Sequence, residues 1–468
     1  MAQGRYQSQQ PRKKRRRRRG RSGGNGLLLI LLAILAVLAV LLLTKSCSRE
    51  DPVDTTLGDT SESNTVDQTD NNTNGPDTTV DDTKTEDPVE PYVVSTASIG
   101  ATGDLLMHKP VMDAALKGGK YDFSENYKFI KEYYESFDLM VANLETTLGG
   151  TAAGPYIGYP NFNCPDDIVD SLLDAGIDML LTANNHTYDT YEDGMLRTLK
   201  VLEDKGMMSL GTRKSTDIDP YIVKELNGIK IGLICYTYNT GSTSDGRVSL
   251  NGNASMTKKA SSLINTFNYS NPEAFYKELK KHMDAMKDEG AEATVLFIHW
   301  GNEYQLKPTS SQTKIAKQLC ELGVDVIIGG HPHVIEPFET LTSSTGHKTH
   351  CIYSLGNALS NQNRNSLSST ENAIYTEDGM VFGVEFEKWS DGTVKISEIS
   401  LLPTWVNKEW KNNKNVYNII PLDTAVQAWD CYEVSNEKRP YESYKRTMGI
   451  VGKGLNETLE AMGLPTNP

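Results

Sequence analysis

The stretch VDVIIGGHPHV, residues 324–334, places two histidines at the end of a buried-looking apolar run. Residues 326–328 are branched and apolar, two glycines follow, and Pro332 alone separates His331 from His333. Histidine is scarce, with eight in the whole chain. In extended backbone, residues two apart face the same side, and the glycines leave room beside them. The pattern predicts a pair of metal ligands after a strand, with an ordinary polar turn as the alternative.

Four other stretches have the same form, a strand-like apolar run that ends in polar residues. They are STASIGATGDLL (95–106), FDLMVANLE (137–145), IDMLLTANNH (177–186) and ATVLFIHWG (293–301). Helical patterns lie between such runs, over 164–175, 191–205, 272–289 and 310–322. Strands that alternate with helices form a largely parallel sheet covered on both faces, and ligands collect at the carboxyl ends of its strands. We therefore expect the polar clusters at one edge of one sheet.

The later part of the chain has a different pattern. The strand-like segments 349–357, 380–389 and 393–403 follow one another through turns, which indicates antiparallel strands. The predicted fold class is α/β, with a layered mixed β-sheet core flanked by helices, over residues 93–405. Residues 406–468 contain further helical stretches and are predicted to be a C-terminal helical extension.

The N-terminal segment has the composition of a membrane anchor. The basic run RKKRRRRRGR, residues 12–21, precedes seventeen apolar residues, LLLILLAILAVLAVLLL, over 27–43. At about 1.5 Å per residue the apolar run spans about 25 Å, close to the thickness of a bilayer core. We predict a basic cytoplasmic tail over 1–26 and one transmembrane helix over 27–44. The positive-inside rule then places the C-terminal domain outside the cell membrane.

Two other interpretations of this segment remain open. The basic run could be a nucleic-acid patch or a nuclear address, although an apolar run follows it closely. The segment could also be a signal that is cleaved or lipid-modified at Cys47. Lys45 fits such a processing site poorly and no alanine-rich cleavage site follows, so an uncleaved signal anchor is favoured.

An acidic linker is predicted over residues 45–92. Residues 48–91 contain thirteen acidic and two basic side chains and few aromatic or branched apolar ones, a composition typical of disordered chain. The whole protein has a net charge of −14, and removing the +10 of the segment before Gly26 leaves −24. That charge argues against nucleic acid as a partner. An anionic substrate would need a local positive centre.

The polar clusters contain the residue types that bind metal ions. Asp104 follows Gly103 at the end of one run, and Asn143 and Glu145 point to the same side of another. A helix cap or a solvated loop carboxylate is the alternative for each acid when it is considered alone. Carboxylate oxygens bind hard and intermediate cations, and one glutamate can bridge two of them.

The remaining clusters add amides and imidazoles. TANNHTYD supplies Asn184, Asn185 and His186, and HWGNEY supplies His299 and Glu303. Buried amides need several hydrogen-bond partners, so two asparagines and a histidine after an apolar run favour a site over plain core. Carboxylates, amides and imidazoles together match the mixed ligand set of a transition-metal site. We expect two divalent ions, Mn, Zn or Fe, which would polarise a phosphoryl or carbonyl oxygen.

The order of these motifs resembles that of the CapA-type capsule synthesis family, the poly-γ-glutamate biosynthesis proteins, whose domain is similar to a calcineurin-like metallophosphoesterase. The motifs, over about residues 95–357, are GD, NLE, ANNHTYD, HWGNEY, GGHPHV and YSLGN. The resemblance implies His186 as the catalytic acid and the following metal ligands: Asp104, Glu145, Asn185, His299, His331 and His333. Further candidate site residues are His108, Asn143, Asn184, Glu303 and Asn357.

Two departures from the superfamily pattern concern this ligand set. Glu145 stands where a bridging aspartate is usual, and His108 lies four residues after Asp104 where the first histidine is usually two residues away. Both put ordinary phosphoesterase activity in doubt without affecting the prediction of metal binding.

The resemblance implies a membrane-anchored extracellular protein of capsule or poly-γ-glutamate biosynthesis or export. Its expected partners are an anionic polymer or its precursor, membrane synthase or export proteins, and the bilayer through one helix. Whether the protein is an enzyme stays open at this point. The alternatives are a non-catalytic subunit of a membrane synthase complex and a surface metal-dependent phosphoesterase unrelated to capsule.

Overall fold

The computed structural model of the protein describes residues 90–252, 256–423, 432, 434–436 and 438–466. The predicted cytoplasmic tail, the predicted transmembrane helix and the predicted linker up to residue 89 lie outside these residues. No helix of the described part is both long enough and apolar enough to cross a bilayer. All described residues belong to one compact unit, residues 86–468.

Most of the domain is built from β-strands. In chain order they are β1 (Val93–Leu105), β2 (Leu116–Lys117), β3 (Lys120–Tyr121), β4 (Leu139–Leu144), β5 (Met179–Leu181), β6 (Met208–Leu210), β7 (Tyr221–Leu226), β8 (Ile229–Tyr238), β9 (Gly241–Ser242), β10 (Val248–Ser249), β11 (Thr266–Phe267), β12 (Ala293–His299), β13 (Val326–Gly330), β14 (Phe338–Thr342), β15 (Lys348–Ile352), β16 (Asn357–Leu359), β17 (Asp378–Trp389), β18 (Val394–Lys411) and β19 (Lys414–Pro421).

Helices connect many of these strands. They are α1 (Lys109–Ala115), α2 (Ser124–Tyr127), α3 (Lys131–Tyr134), α4 (Asp167–Asp174), α5 (Tyr191–Asp204), α6 (Lys258–Ser262), α7 (Pro272–Asp288), α8 (Ser310–Leu322) and α9 (Lys438–Met462), with 3-10 turns at Thr151–Ala153 and Ala373–Glu377. The four helices predicted from periodicity correspond to α4, α5, α7 and α8. Helix α8 begins at a capping box formed by Thr309 and Gln312 and ends at Gly323, which has a φ of 91°.

The first sheet has eight strands in the order β19-β18-β17-β1-β4-β5-β6, with β16 also paired to β1. Strands β1, β4, β5 and β6 are mutually parallel. Strands β17, β18 and β19 join them as antiparallel neighbours. The second sheet has seven strands, in the order β11-β8-β12-β13-β15-β14 with β7 paired to β8, and its central strands β8, β12, β13 and β15 are parallel.

The two sheets pack face to face. One apolar cluster joins residues of the first sheet, such as Ile99 and Val141, to residues of the second, such as Leu233 and Val295. A second cluster packs α1 to α5 on the outer face of the first sheet, and a third packs α7 and α8 on the outer face of the second. The domain is therefore layered as helix, sheet, sheet and helix, which confirms the predicted class.

The expectation that all polar clusters share one sheet is wrong. The alternation of strands and helices predicts that neighbouring strands are parallel, but it does not predict which strands belong to the same sheet. The chain passes from the first sheet to the second between β6 and β7, and β7 turns back antiparallel onto β8. The candidate site residues therefore come from the strand ends of two sheets.

The C-terminal region differs from the helical extension predicted over 406–468. Strand β18 continues to Lys411, and β19 returns beside it, so that residues 406–421 complete the first sheet. The two turn residues between them, Asn412 and Asn413, have φ values of 52° and 60°, as a tight hairpin requires. Helix α9 then packs against β14 and β18.

Candidate metal centre

The predicted ligands converge where the strands of both sheets end. Asp104 lies at the end of β1, Glu145 directly follows β4, and His299 is the last residue of β12. His331 and His333 lie in the turn after β13. All five side chains are buried, with at most 4% of any residue exposed. The sequence places them up to 229 positions apart, and the fold gathers them in one cluster.

Two overlapping groups of side chains have the geometry to hold a metal ion. Asp104, Glu145 and His333 form one group, in which one ligand atom from each residue lies within 4.8 Å of the others. Nδ1 of His333 is 3.2 Å from Oδ2 of Asp104, and Nε2 of His333 is 3.8 Å from Oε1 of Glu145. The imidazole therefore lies between the two carboxylates.

Glu145, His299 and His331 form the second group, within the same limit of 4.8 Å. Nε2 of His299 is 3.5 Å from Oε1 of Glu145, and the rings of His299 and His331 are 4.8 Å apart. Glu145 belongs to both groups. A carboxylate in that position can contact two cations, which is the bridging role implied by the family resemblance.

Several ligand atoms in the cluster have no hydrogen-bond partner in the part of the chain that the structure describes. They are Oε1 of Glu145, Nδ1 of His331 and Nδ1 of His333. The His333 atom lies 3.2 Å from Oδ2 of Asp104, but the angle between the two groups does not suit a hydrogen bond. A buried polar atom without a partner is costly, and native proteins rarely leave three together. The same atoms are acceptable ligands for a divalent cation. This donor set fits a metal site.

Electrostatics in the cluster point the same way. Burial, reinforced by the charge of Asp104, raises the pKa of Glu145 well above its ordinary value. Burial would also raise the pKa of Asp104, but His333 and His299 together hold it below its usual range. Two carboxyl groups in a closed space repel one another unless a positive charge lies between them. A divalent cation would provide that charge.

The histidines respond to burial in opposite directions. Burial lowers the pKa of His299 to about 4 and that of His331 well below its ordinary value, so both are neutral, as a metal ligand must be. Burial would also lower the pKa of His333, but Glu145 and Asp104 raise it to about 9. His333 therefore carries the compensating proton that a cation would replace.

The sequence pattern suggested extended backbone at His331 and His333, but the structure has a turn there. His331 and His333 have φ values of 98° and 56°, in the left-handed region that non-glycine residues rarely occupy. Such backbone strain persists where surrounding contacts fix the conformation, often at functional sites. Here the N–H of His331 donates to Oδ2 of Asp104 over 3.2 Å, which ties the turn to the first sheet.

Glycines allow the close approach of the strands beneath the site. A Cβ atom at Gly103 would clash with the carbonyl oxygen of Gly356, and one at Gly329 would clash with that of Tyr353. A Cβ at Gly330 would lie 2.9 Å from Oδ1 of Asp104. The first two positions limit the packing of backbone, whereas Gly330 borders a candidate ligand directly.

Gly330→Ala should lower the affinity of the cluster for metal without unfolding the protein. The added methyl group would push the Asp104 carboxylate away from its position. Changes that disturb the orientation of a metal ligand typically cost 10–100-fold in metal affinity, about 1.4–2.8 kcal/mol. Titration with Mn²⁺ or Zn²⁺ by calorimetry measures the change. Gly241→Ala, where the added atom meets nothing within 4 Å, is the matched control. Unchanged affinity in Gly330→Ala would contradict a ligand role for Asp104.

The asparagines orient the charged groups. Nδ2 of Asn143 donates to Oδ1 of Asp104 over 2.8 Å, and Oδ1 of Asn143 accepts from Nδ2 of Asn184 over 3.1 Å. Asn143 and Asn184 therefore position Asp104 instead of offering free oxygens. Oδ1 of Asn185 lies 2.7 Å from Nε2 of His299, and its Nδ2 donates to Asn251 over 2.8 Å. Asn185 thus adjoins the second group and remains a predicted ligand.

His186 lies beside the cluster in an arrangement suited to proton transfer. Its Nδ1 donates to Oδ2 of Asp189 over 2.7 Å, and the same oxygen accepts the N–H of Phe162 over 2.6 Å. The Phe162 ring packs edge-on against His186, with centroids 4.7 Å apart. No partner for Nε2 of His186 is found among the described residues. Asp189 thus fixes the ring and its tautomer and leaves Nε2 available.

Three other predicted residues lie outside both groups. His108 packs edge-on against Phe162 and contacts Leu106 and Ser360, and burial lowers its pKa to about 4. Glu303 is exposed. Nδ2 of Asn357 donates to the backbone oxygen of His333 over 3.3 Å, so this asparagine supports the histidine turn instead of facing the cluster.

Two tyrosines beside the cluster were not predicted. Tyr238, the last residue of β8, has its hydroxyl 3.2 Å from Nε2 of His331. Tyr304 has its ring 6.2 Å from that of His333, and its N–H donates to the oxygen of Pro332 over 2.8 Å. Asn239 follows the run that ends at Tyr238, but no carboxylate or histidine stands there, and each of the other strand ends has one of these.

Glu336, three residues beyond His333, is a second buried carboxyl group. Its Oε2 accepts a hydrogen bond of 2.7 Å from Nε2 of Gln312, and its Oε1 has no partner among the described residues. Burial raises the pKa of Glu336 to about 8, against the opposing effect of that hydrogen bond. The folded protein therefore keeps this proton at pH values where an unfolded chain, with a glutamate pKa of about 4.3, has lost it.

Glu336→Gln should remove a loss of stability that the wild-type protein shows as the pH rises. Because the folded-state pKa is raised, the free energy of unfolding falls by on the order of a few kcal/mol between about pH 5 and pH 8, and then levels off. Urea unfolding of both proteins across that range measures the difference. Glu460→Gln, at an exposed carboxyl group, should leave the slope unchanged. Parallel curves for wild type and Glu336→Gln would contradict the buried proton.

Residues 98–362, which contain every predicted metal ligand, match the family model described as bacterial capsule synthesis protein PGA_cap. The chain is 25% identical over 267 residues to the capsule biosynthesis protein CapA of Bacillus anthracis, which covers 56% of this chain and 59% of that protein. It is 24% identical over 364 residues to the PGA biosynthesis protein CapA of Bacillus subtilis (strain 168), which covers 74% and 83%. The chain thus spans less than two thirds of the first relative's length. One solved structure aligns over its whole chain and 65% of this one, with 8% identity and a TM-score of 0.30 that supports no fold assignment.

Proposed function

We propose that this chain, which belongs to the bacterial capsule synthesis protein family PGA_cap, works in the synthesis or export of an anionic capsule polymer. The name of one relative, the PGA biosynthesis protein CapA, favours poly-γ-glutamate as that polymer. The proposal includes a divalent metal centre as the reactive or binding element. The observation that carries it is the overlap of two buried ligand groups at Glu145.

The metal centre would be held by the residues of both groups. Asp104 and His333 belong to one group, His299 and His331 to the other, and Glu145 to both, while Asn185 adjoins His299. When bound, a divalent cation supplies Lewis-acid polarisation of a carbonyl or phosphoryl oxygen. It would also provide the local positive charge that an otherwise acidic protein needs in order to bind an anionic substrate.

His186 would act as the general acid beside that centre. Asp189 accepts the Nδ1–H of His186 and so directs Nε2 towards a proton-transfer role. The edge-on ring of Phe162 limits rotation of the imidazole and excludes water from one side. The neutral ring with its proton on Nδ1 has none on Nε2, so a leaving group near Nε2 would receive its proton from the imidazolium form of His186. General acid catalysis of this kind contributes about 10²–10⁴-fold in rate.

The proposal places this domain on the outer surface of the cell membrane. The basic run 12–21 and the apolar run 27–43 support an uncleaved anchor with the C-terminal domain outside. A membrane helix would also allow docking to a synthase or export complex. An external domain would meet the polymer as it leaves the membrane.

A second candidate function is supported by the burial of the cluster. The candidate ligands, including Asn185, are at most 4% exposed, and the neighbouring His186 is 5% exposed. A closed centre of this kind also suits a metal ion that stabilises a non-catalytic subunit of a membrane synthase complex. In that case the membrane helix, and not the chemistry of His186, would be essential.

Deletion of the gene and complementation with variants test the proposed function. Cells without the protein should lose surface polymer, and the wild-type gene should restore it. Replacement of residues 27–43 by an unrelated apolar helix of equal length should retain polymer if the segment only anchors the protein. Loss of polymer in that chimera would favour the assembly role. Normal polymer in the deletion strain would contradict a role in its synthesis or export.

A further inference from the structure

Lys408 is a half-buried cation at the side of the candidate centre, on β18. Its Nζ donates to Oδ1 of Asn361 over 2.7 Å and lies 5.6 Å from the centre of the Tyr417 ring. It forms no ion pair with a carboxylate among the described residues. Neighbouring cations behave differently: Arg364 pairs with Glu377 over 2.8 Å.

An ammonium group in this position is electrostatically unfavourable without a counter-ion. Burial lowers the pKa of Lys408, and no nearby carboxylate acts in the opposite direction. Native proteins usually pair a charge that they remove from water. The protein carries a net charge of −14, yet no carboxylate of the described residues forms an ion pair with this lysine, and burial alone acts on its pKa. An anionic ligand would provide the missing partner.

Asn361 presents a second hydrogen-bond donor beside Lys408. Its Oδ1 accepts from Nζ of Lys408 and also from the hydroxyl of Tyr417, each over 2.7 Å. Two donors on this oxygen fix the orientation of the amide, because the nitrogen cannot accept from either of them. Nδ2 of Asn361 then has its hydrogens unused by any described residue. The pair therefore offers an ammonium group and an amide N–H₂ side by side.

This pair is connected to the candidate metal centre through His108. The N–H of Asn361 points to Nδ1 of His108 over 3.4 Å, and His108 packs against Phe162, which packs against His186. Burial is the main cause that lowers the pKa of His108, and the charges of His333, His186 and Lys408 lower it further. Lys408 is thus close enough to act on the same electrostatic region as the cluster.

We propose that Lys408 and Asn361 form a subsite that binds a carboxylate or phosphate group of the substrate while a neighbouring part of that substrate lies at the metal centre. The identity of the substrate rests on the proposed function, whereas the positions of the two donors are seen in the structure. Nζ of Lys408 and Nδ2 of Asn361 are donors, and Oδ1 of Asn361 already accepts two hydrogen bonds. The subsite therefore favours an anion. Lys408 lies outside the segment 98–362 that the family model matches.

Binding of labelled poly-γ-glutamate to the purified full-length protein tests the subsite, at fixed ionic strength and with metal present. Lys408→Met should weaken binding about tenfold, the value of one charge-assisted hydrogen bond. Asn361→Asp, which is nearly isosteric and places a negative charge against Lys408, should weaken it at least as much. Inorganic phosphate as a competitor distinguishes the source of the anion, because it displaces the polymer only if the subsite accepts phosphate.

Lys395→Met, a change at the other end of β18, is the matched control and should bind as the wild type does. Metal content should remain unchanged in all three variants, since none alters a candidate ligand. Wild-type affinity for both polymer and phosphate in Lys408→Met and Asn361→Asp would overturn the subsite. Failure of the proposed function would give a different result, because cells with an altered metal centre would then still make normal polymer.

Discussion

Glu145→Gln should remove most of the bound metal from the purified protein. The residue belongs to both ligand groups, and its Oε1 lacks any other partner in the described structure. Glutamine keeps the shape but replaces a charged ligand by a weakly coordinating amide. We expect the content of divalent metal to fall from about two ions to one or none, measured by mass spectrometry of the elements.

Thermal unfolding with and without a chelator gives an independent signature of the same change. Burial and the charge of Asp104 make an ionised Glu145 unfavourable in the metal-free protein, so the metal-free Glu145→Gln variant should be at least as stable as metal-free wild type. With metal present the order should reverse, because binding to the folded state stabilises it. Glu273→Gln, at an exposed acid on α7, is the matched control. Equal metal content in wild type and Glu145→Gln would contradict a bridging role.

His186→Gln should abolish polymer production while the protein keeps its metal. His186 lies beside the two ligand groups but belongs to neither, so its loss should remove proton transfer and leave metal binding intact. Because a general acid contributes about 10²–10⁴-fold, we expect surface polymer to fall by about a hundredfold or more in complemented cells. The amount of polymer per cell and the metal content of the purified variant are the two measurements.

The histidine at position 282 provides the control for that experiment. It is only partly buried on α7, far in sequence from any motif, and His282→Gln should leave polymer output unchanged. Full polymer output from His186→Gln would exclude the catalytic role and favour the assembly subunit. Loss of both metal and polymer would instead assign His186 to the metal shell.

The sequence predicted the position of the cluster because strand ends are visible in it. Asp104, Glu145, His299 and His331 each follow an apolar run closely, and parallel strands bring such ends together. The predicted assignment to one sheet failed because pairing between distant runs depends on tertiary contacts. Nothing in β12 or β13 alone indicates that they face β1 and β4 across an apolar core.

The local geometry of the site was less accessible to sequence. His331 and His333 occupy a turn with positive φ, which neither histidine nor the neighbouring Pro332 signals. Asn143 was recognised as a site residue, but its donation to Asp104 depends on the side-by-side pairing of β1 with β4. Tyr238 was missed because a tyrosine at the end of a strand carries no distinctive pattern.

The C-terminal region had a usable signal that was not recognised. Asn412 and Asn413 form the two-residue turn between β18 and β19, and consecutive asparagines with positive φ are typical of a β-hairpin turn. The helical periodicity of the segment that forms α9 led to a helical prediction for all of residues 406–468, and the hairpin was missed. The consequence for function is direct, because this hairpin supplies Lys408 and Tyr417 to the proposed anion subsite.

Anomalous diffraction from crystals of the metal-replete protein tests the central claim most directly. Data at the manganese, iron and zinc absorption edges would locate any bound ion and identify the element. We predict two anomalous peaks in contact with Glu145, one beside His333 and Asp104 and the other beside His299 and His331. The absence of a peak at this cluster in metal-replete crystals, or a peak that does not contact Glu145, would contradict the metal centre proposed for this protein.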